Sequence, residues 1–282
     1  MRKARLNVAV FVVAAALTCL CTVAVAAEAP DVLQRAHAWA RFGKGAWRRV
    51  RIVTENFDVA GRVVNSSVAD NLTTLEEITP EGVTLKVATT VEVAGQSFPS
   101  PPQTVHQGYA GESIGQTVSR KSLSDETLTV DGRDIPCQAQ QIEILGGGNR
   151  EVIEISYSPA ITPTILRFKS TTSDPASGRT VAEALSEVFA LDKRVRVLDE
   201  PDERRGYRMR QILKSDRGRT TTWSDHVADV PGEVVSHTAQ KFDEQGRLIR
   251  RTTLELVDYG LDDERGGRDM TRRQRRQQRR AR

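Results

Sequence analysis

His226 and His237 bracket a Pro231-Gly232 turn in the stretch TWSDHVADVPGEVVSHTAQKFDEQGRL, residues 222–248, with Asp225, Asp229 and Glu233 beside or between them. Imidazole and carboxylate in one hairpin could hold a metal or run acid/base chemistry, because paired strands bring distant residues face to face. A hydrolase or metal-dependent enzyme built here would use His226 and His237 with Asp225 or Asp229. The spacing matches neither a His-Glu-x-x-His helix nor a Cys/His ligand set. An earlier stretch, IEISYSPAITPTILRFKSTTS (153–173), echoes residues 220–242. An aromatic-Ser step opens both (Tyr157-Ser158, Trp223-Ser224), a proline follows (Pro163, Pro231), then an apolar pair (Ile165-Leu166, Val234-Val235). The earlier copy has Ser158-Pro159-Ala160-Ile161 where the later has Ser224-Asp225-His226-Val227. The scaffold recurs without the ligands, so the expectation is no catalytic, cofactor-binding or metal-binding residue in this hairpin.

Other reactive types are sparse. Beyond Cys19 and Cys21, Cys137 is the one cysteine, in the strand-like DIPCQAQQIEI. A single thiol closes no disulfide and reads as a buried, inert side chain. His37 lies beside an apolar stripe with no neighbouring acid and is expected at the surface or an edge. Glu76-Glu77 and Asp262-Asp263-Glu264 read as solvated charge, lacking an apolar setting that would shift them. Gly146-Gly147-Gly148 has no Lys-Ser/Thr after it and marks a loop rather than a phosphate cradle. Asn65-Ser-Ser and Asn71-Leu-Thr match the short glycosylation sequon.

The elements that would position these residues read as α+β. DVLQRAHAWARFGKG, from Asp31, reads as a helix capped by Asp31 and stopped by Gly43 and Gly45. TVAEALSEVFAL (180–191) reads as a second helix, with Thr180 and Glu183 at capping-box spacing. Most of the remainder alternates apolar and polar residues, as in GVTLKVATTVEV (82–93), ILRFKS (165–170) and YRMRQILK (207–214). Four segments repeat an apolar–Gly–apolar turn unit: FDVAGRVV (57–64), VEVAGQSF (91–98), LTVDGRDI (128–135) and FDEQGRLI (242–249). Glycine supplies the positive φ of a tight hairpin, so the unit predicts an antiparallel meander. The expected fold is one long curved antiparallel sheet over 27–260, in one domain of two related halves, packed against an N-terminal helix and one further helix.

MRKARLNVAVFVVAAALTCLCTVAVAA has the basic start, apolar run and small-residue exit of a secretory signal, expected over 1–26. Cleavage there leaves no transmembrane segment. The whole-chain pI of about 9.1 misplaces the charge. The signal holds three basic residues, and the run from Arg265 to Arg282 holds nine arginines against Asp269, leaving 29 basic and 36 acidic residues between. The body is acidic and the tail (261–282), expected to be disordered, is basic. Nucleic acid is therefore not expected as the partner. The tail suits anionic lipid headgroups or wall polymer, through salt-sensitive pairing.

The phrases at Trp223–Ser236 and Phe242–Leu248, with the signal, helix and hairpins, resemble the half-barrel family of periplasmic lipoprotein carriers and outer-membrane lipoprotein-sorting proteins. That resemblance implies a concave sheet plugged by helices and holding an acyl chain or other hydrophobic ligand. It implies no individual functional residue. The reading is a non-catalytic secreted or periplasmic binding protein, peripherally attached to the envelope and without cofactor. A structural protein tethered by its basic tail is the other non-enzymatic alternative.

Overall fold

A computed structural model describes residues 31–93, 95–198 and 200–261. The expected signal over 1–26 and the arginine run from Arg265 lie outside the described residues. A short helix, α1 (Val32–Ala36), precedes strands β1 (Trp47–Phe57), β2 (Val63–Thr79), β3 (Gly82–Val93), β4 (Gln96–Pro99) and β5 (Gln103–Gly108). Next come β6 (Thr117–Ser122), β7 (Glu126–Val130), β8 (Arg133–Gly146), β9 (Asn149–Tyr157) and β10 (Ile165–Ser173). The series ends with β11 (Thr180–Val195), β12 (Arg204–Ser215), β13 (Gly218–His226), β14 (Val234–Phe242) and β15 (Leu248–Gly260).

All pairings are antiparallel, in the order β4-β3-β2-β1-β15-β14-β13-β12-β11-β10-β9-β8-β6, with β5 also on β3 and β7 on β8. The sheet does not close: β4 and β5 form one margin and β6 the other. It is curled, because β2 and β3 share one buried cluster with β8 and β9 from the far side of that order. Leu75, Val83 and Leu85 meet Ile142, Ile153 and Ile155, and Val32, Leu33 and Trp39 fill the space between. Burying an aliphatic side chain of this kind contributes about 1.5–3 kcal/mol. A second cluster joins Val50, Leu254 and Leu256 to Val227, Val230 and Val235. A third packs Ile135 and Cys137 against Val188, Leu191 and Tyr207.

The antiparallel sheet agrees with the sequence reading, and the α+β layering does not. TVAEALSEVFAL is not a helix but most of β11, paired with β10 and β12 along its length. Its Ala, Glu and Leu favour helix locally, yet two flanking ladders satisfy the backbone and bury Ser186, Val188 and Ala190. The N-terminal helix is shorter than expected. Asp31 does cap it, accepting from Leu33 N–H at 3.3 Å, but it ends at Ala36. His37 turns extended and its Nδ1 accepts from Trp39 N–H at 3.3 Å. The chain then proceeds by turns that drive Trp39 into the core, where a continuing helix would spread the apolar residues over one stripe.

All four turn units join consecutive antiparallel strands. Two are near copies. Asp58 Oδ1 accepts from Ala60 and Arg62 N–H, each at 2.9 Å, with Gly61 at φ 76°. Asp243 does the same for Gln245 and Arg247, at 3.0 and 2.9 Å, with Gly246 at φ 77°. The echoed stretches 153–173 and 220–242 are also hairpins, β9–β10 and β13–β14.

Candidate functional site

The connection 227–233 carries a buried carboxylate, Glu233. Val227 N–H donates to the Glu233 carbonyl at 2.9 Å, and Glu233 N–H to the Val230 carbonyl at 2.7 Å. Gly232 (φ 72°) and Glu233 (φ 61°) both take the left-handed region. That is natural for glycine and costs a side-chain-bearing residue about 1 kcal/mol or more. The turn aims Glu233 into the interior, where it is 5% exposed. Its carboxylate accepts from the Tyr207 hydroxyl and pairs with Arg41 of the N-terminal segment. Arg48 of β1 donates from Nη1 to the Gly232 carbonyl at 3.0 Å and lies 5.5 Å over the Trp39 ring. Gly232 N–H completes the joint, donating to the Ala38 carbonyl at 3.1 Å.

Burial pushes the Glu233 carboxyl above the usual range, while Arg41, the Tyr207 hydroxyl and Arg48 pull it back. The Tyr207 phenol rises for the same reason, reinforced by Glu233. Burial brings Arg48 down to about 10, so it stays charged at neutral pH, with Glu233 opposing the drop.

The structure separates the residues that the sequence put together. Strand alternation places Ser224 and His226 on the inner face, with His237 opposite Ser224. Asp225 points outward, where Arg208 Nε reaches it at 2.7 Å and Ser236 Oγ at 3.3 Å. Asp229 is exposed on the connection. His226 stacks on Tyr207, with ring centroids 4.8 Å apart, and its Nε2 is 2.7 Å from Ser224 Oγ. Its Nδ1 is buried without a partner, so no acid orients the ring as a nucleophile–base pair would need. Burial lowers His226 to about 4, Asp225 opposing and Arg48 and His237 adding to the fall. His237 is lowered too, by burial and then Arg48. Among the described residues no group of three His, Cys, Asp or Glu could hold a metal.

Cys137 is buried, its thiol donating to the Ile135 carbonyl at 3.3 Å and pushed up by burial. His37 is more enclosed than an edge residue, standing edge-on to Tyr109 at 5.6 Å and lowered by burial. Beside it, a cavity of about 760 Å³ opens between α1, the β2–β3 turn and the chain from β5 to β6. The Tyr109 hydroxyl donates to the Thr79 carbonyl at 2.6 Å there, and Arg120 of β6 pairs with Asp31.

Sequence reasoning missed Tyr207, Arg41 and Arg48, which come from separate elements. Period-two alternation over Ser224-Asp225-His226 was the available signal that Asp225 and His226 face opposite ways. The arrangement acts as a clasp: a carboxylate on the β13–β14 connection fastens the N-terminal segment to β1 and β12.

The two faces of the sheet differ beyond the clasp. Outward, cross-strand ion pairs run from Arg51–Asp70 and Arg251–Glu55 to Arg210–Glu187 and Lys169–Glu154. Inward, the central positions are uncharged: Thr54, Ala69, Val91, Thr252, Ala239 and Thr222. Val93, Phe98 and Leu213 also lie on this face and are exposed.

No protein-family model and no curated protein matches the chain. Among solved structures, a "putative lipoprotein" from Parabacteroides distasonis is 9% identical and aligns over 78% of this chain and 98% of its own, with a TM-score of 0.31. A "putative exported protein with YmcC-like fold" from Bacteroides fragilis is 8% identical over 77% and 97%, with a TM-score of 0.28. Superpositions that loose transfer neither fold nor function. Among the described residues no helix is long and apolar enough to cross a membrane.

Proposed function

We propose that this is a non-catalytic, exported, envelope-associated binding protein that takes a hydrophobic ligand against the inner face of its curled sheet. The observation that carries the reading is the contrast of faces. Outward, ion pairs link strand to strand, while the central positions of the inner side, beyond the clasp and the Arg120–Asp31 pair, are uncharged, with Val93, Phe98 and Leu213 exposed. Exposed apolar side chains on a concave face are what an apolar ligand would cover. The N-terminal segment and the β7–β8 hairpin occupy the rest of the concavity with their own apolar side chains. The arginine run from Arg265 adds salt-sensitive attachment to an anionic envelope surface.

Mass spectrometry of the protein purified from its native envelope fraction tests the ligand. A co-purifying lipid, diminished in Phe98→Asp with Leu213→Asp, is the expected result, and a lipid-free wild-type protein sinks the reading. Deleting residues 265–282 is expected to leave folding intact while weakening salt-sensitive fractionation with the envelope.

A further inference from the structure

We infer that the sheet end remote from the N-terminal segment docks on an anionic lipid bilayer. Strand direction puts the turns at 58–62, 174–179, 216–217 and 243–247 and the β3–β4 connection at this one end. Its exposed apolar residues cluster on two adjoining hairpins. Val59 at the tip of β1–β2 is 82% exposed, with Val63 and Val64 beside it. Val93 and Phe98 flank the tip of β3–β4. A run of this size in water has no internal partner and fits a surface that can admit apolar tips.

Charge selects the surface. Arg179, Lys214, Arg217, Arg219, Lys241 and Arg250 sit at or beside the same turns and make no ion pair among the described residues. Asp58 and Asp243 are neutralised by Arg62 and Arg247 of their own turns, which leaves Glu92, Asp174, Glu183, Asp216 and Glu244 as the acids at this end, five against those six cations. Cations therefore prevail at this end of a body that is acidic as a whole, as attraction to anionic headgroups requires. The inward-facing Val93 and Phe98 make the apolar tips continuous with the inner face. The docking thus extends the hydrophobic-ligand reading, placing the open end of the concavity on the bilayer.

The test uses the protein as the cell processes it, carrying Val59→Cys labelled with a polarity-sensitive fluorophore. Cys137, buried, stays unlabelled. Vesicles of phosphatidylglycerol and phosphatidylcholine are the probe. The label is expected to shift to the blue on anionic vesicles and to remain shifted at a salt concentration that strips tail-only contacts. Val59→Asp with Val64→Asp is expected to weaken vesicle partition by about tenfold or more, and Lys214→Glu with Arg217→Glu to weaken it mainly at low salt. Binding with no shift at Val59 assigns attachment to the arginine tail and overturns the proposal, as does full binding by both double variants. A shift at Val59 in protein that carries no co-purifying lipid sustains the docking and removes the ligand. Co-purifying lipid with no shift does the reverse.

Discussion

The two ends of the sheet are built on opposite plans. At one end, connections and the N-terminal segment interlock: Glu233 meets Tyr207 and Arg41, Gly232 meets Ala38 and Arg48, and His226 stacks under the joint. At the other, the turns are largely self-contained, Asp58, Asp174 and Asp243 capping their own loops, and apolar tips such as Val59 face solvent. The difference teaches where stability and where function reside. Buried polar groups joined across elements rigidify one end, and exposed apolar tips mark the other.

Within the interlocked end, the connections 158–164 and 227–233 make a finer comparison. Both are closed by a first N–H donating to a last carbonyl at 2.9 Å, Ser158 to Thr164 and Val227 to Glu233. Only the second places a carboxylate at the closing position, and among the described residues only the second is shown bonded to the N-terminal segment. The repeated scaffold has been adapted once, into a clasp.

Breaking that clasp is expected to have the largest effect. Glu233→Ala removes the partner of Arg41 and the acceptor of the Tyr207 hydroxyl, and should cost about 3–5 kcal/mol in denaturant unfolding. The matching change on the other connection, Thr164→Ala, should stay below about 1 kcal/mol. Next comes acid sensitivity. His226 is held neutral with its affinity for protons lowered to about 4, against an ordinary value of 6.5. The unfolded chain binds that proton first, so stability is complete above pH 6.5 and lost as pH falls through the window to about 4. The loss approaches about 3 kcal/mol. His226→Gln should flatten the slope of unfolding free energy against pH in that window.

Gly232→Ala probes the same end more gently. A Cβ there would sit 2.7 Å from Arg48 Cζ on a backbone at φ 72°, and about 1–2 kcal/mol of destabilisation is expected by thermal unfolding. Smallest of all, Val59→Asp at the open end should move stability by no more than about 0.5 kcal/mol while changing vesicle partition. A large loss of stability there would erase the contrast between the ends.

Much of this was legible in residue order. Alternation and the Asp-x-x-Gly-Arg turns mark the hairpins, because a turn that closes on its own aspartate needs nothing from elsewhere. Thr180–Leu191 misleads for the opposite reason: its helix-favouring composition is overruled by ladders to residues 167–173 and 204–215. Asp31 caps a helix as expected, yet Trp39 has a better place in the core than on a longer stripe. His226 and His237 do share a face, as hairpin reasoning allows, but the acids expected beside them do not.

By itself the sequence determined the antiparallel meander, its turn chemistry, the isolated buried thiol and the separation of an acidic body from a basic run. Those depend on period, turn residues and composition, all local or additive. Only the tertiary structure decided which strands meet around residues 31–46 and that Glu233 rather than Asp225 is the buried acid. It also decided that charge and apolar exposure gather at one end. Each of these needs contacts between elements far apart in the chain, which no local pattern encodes.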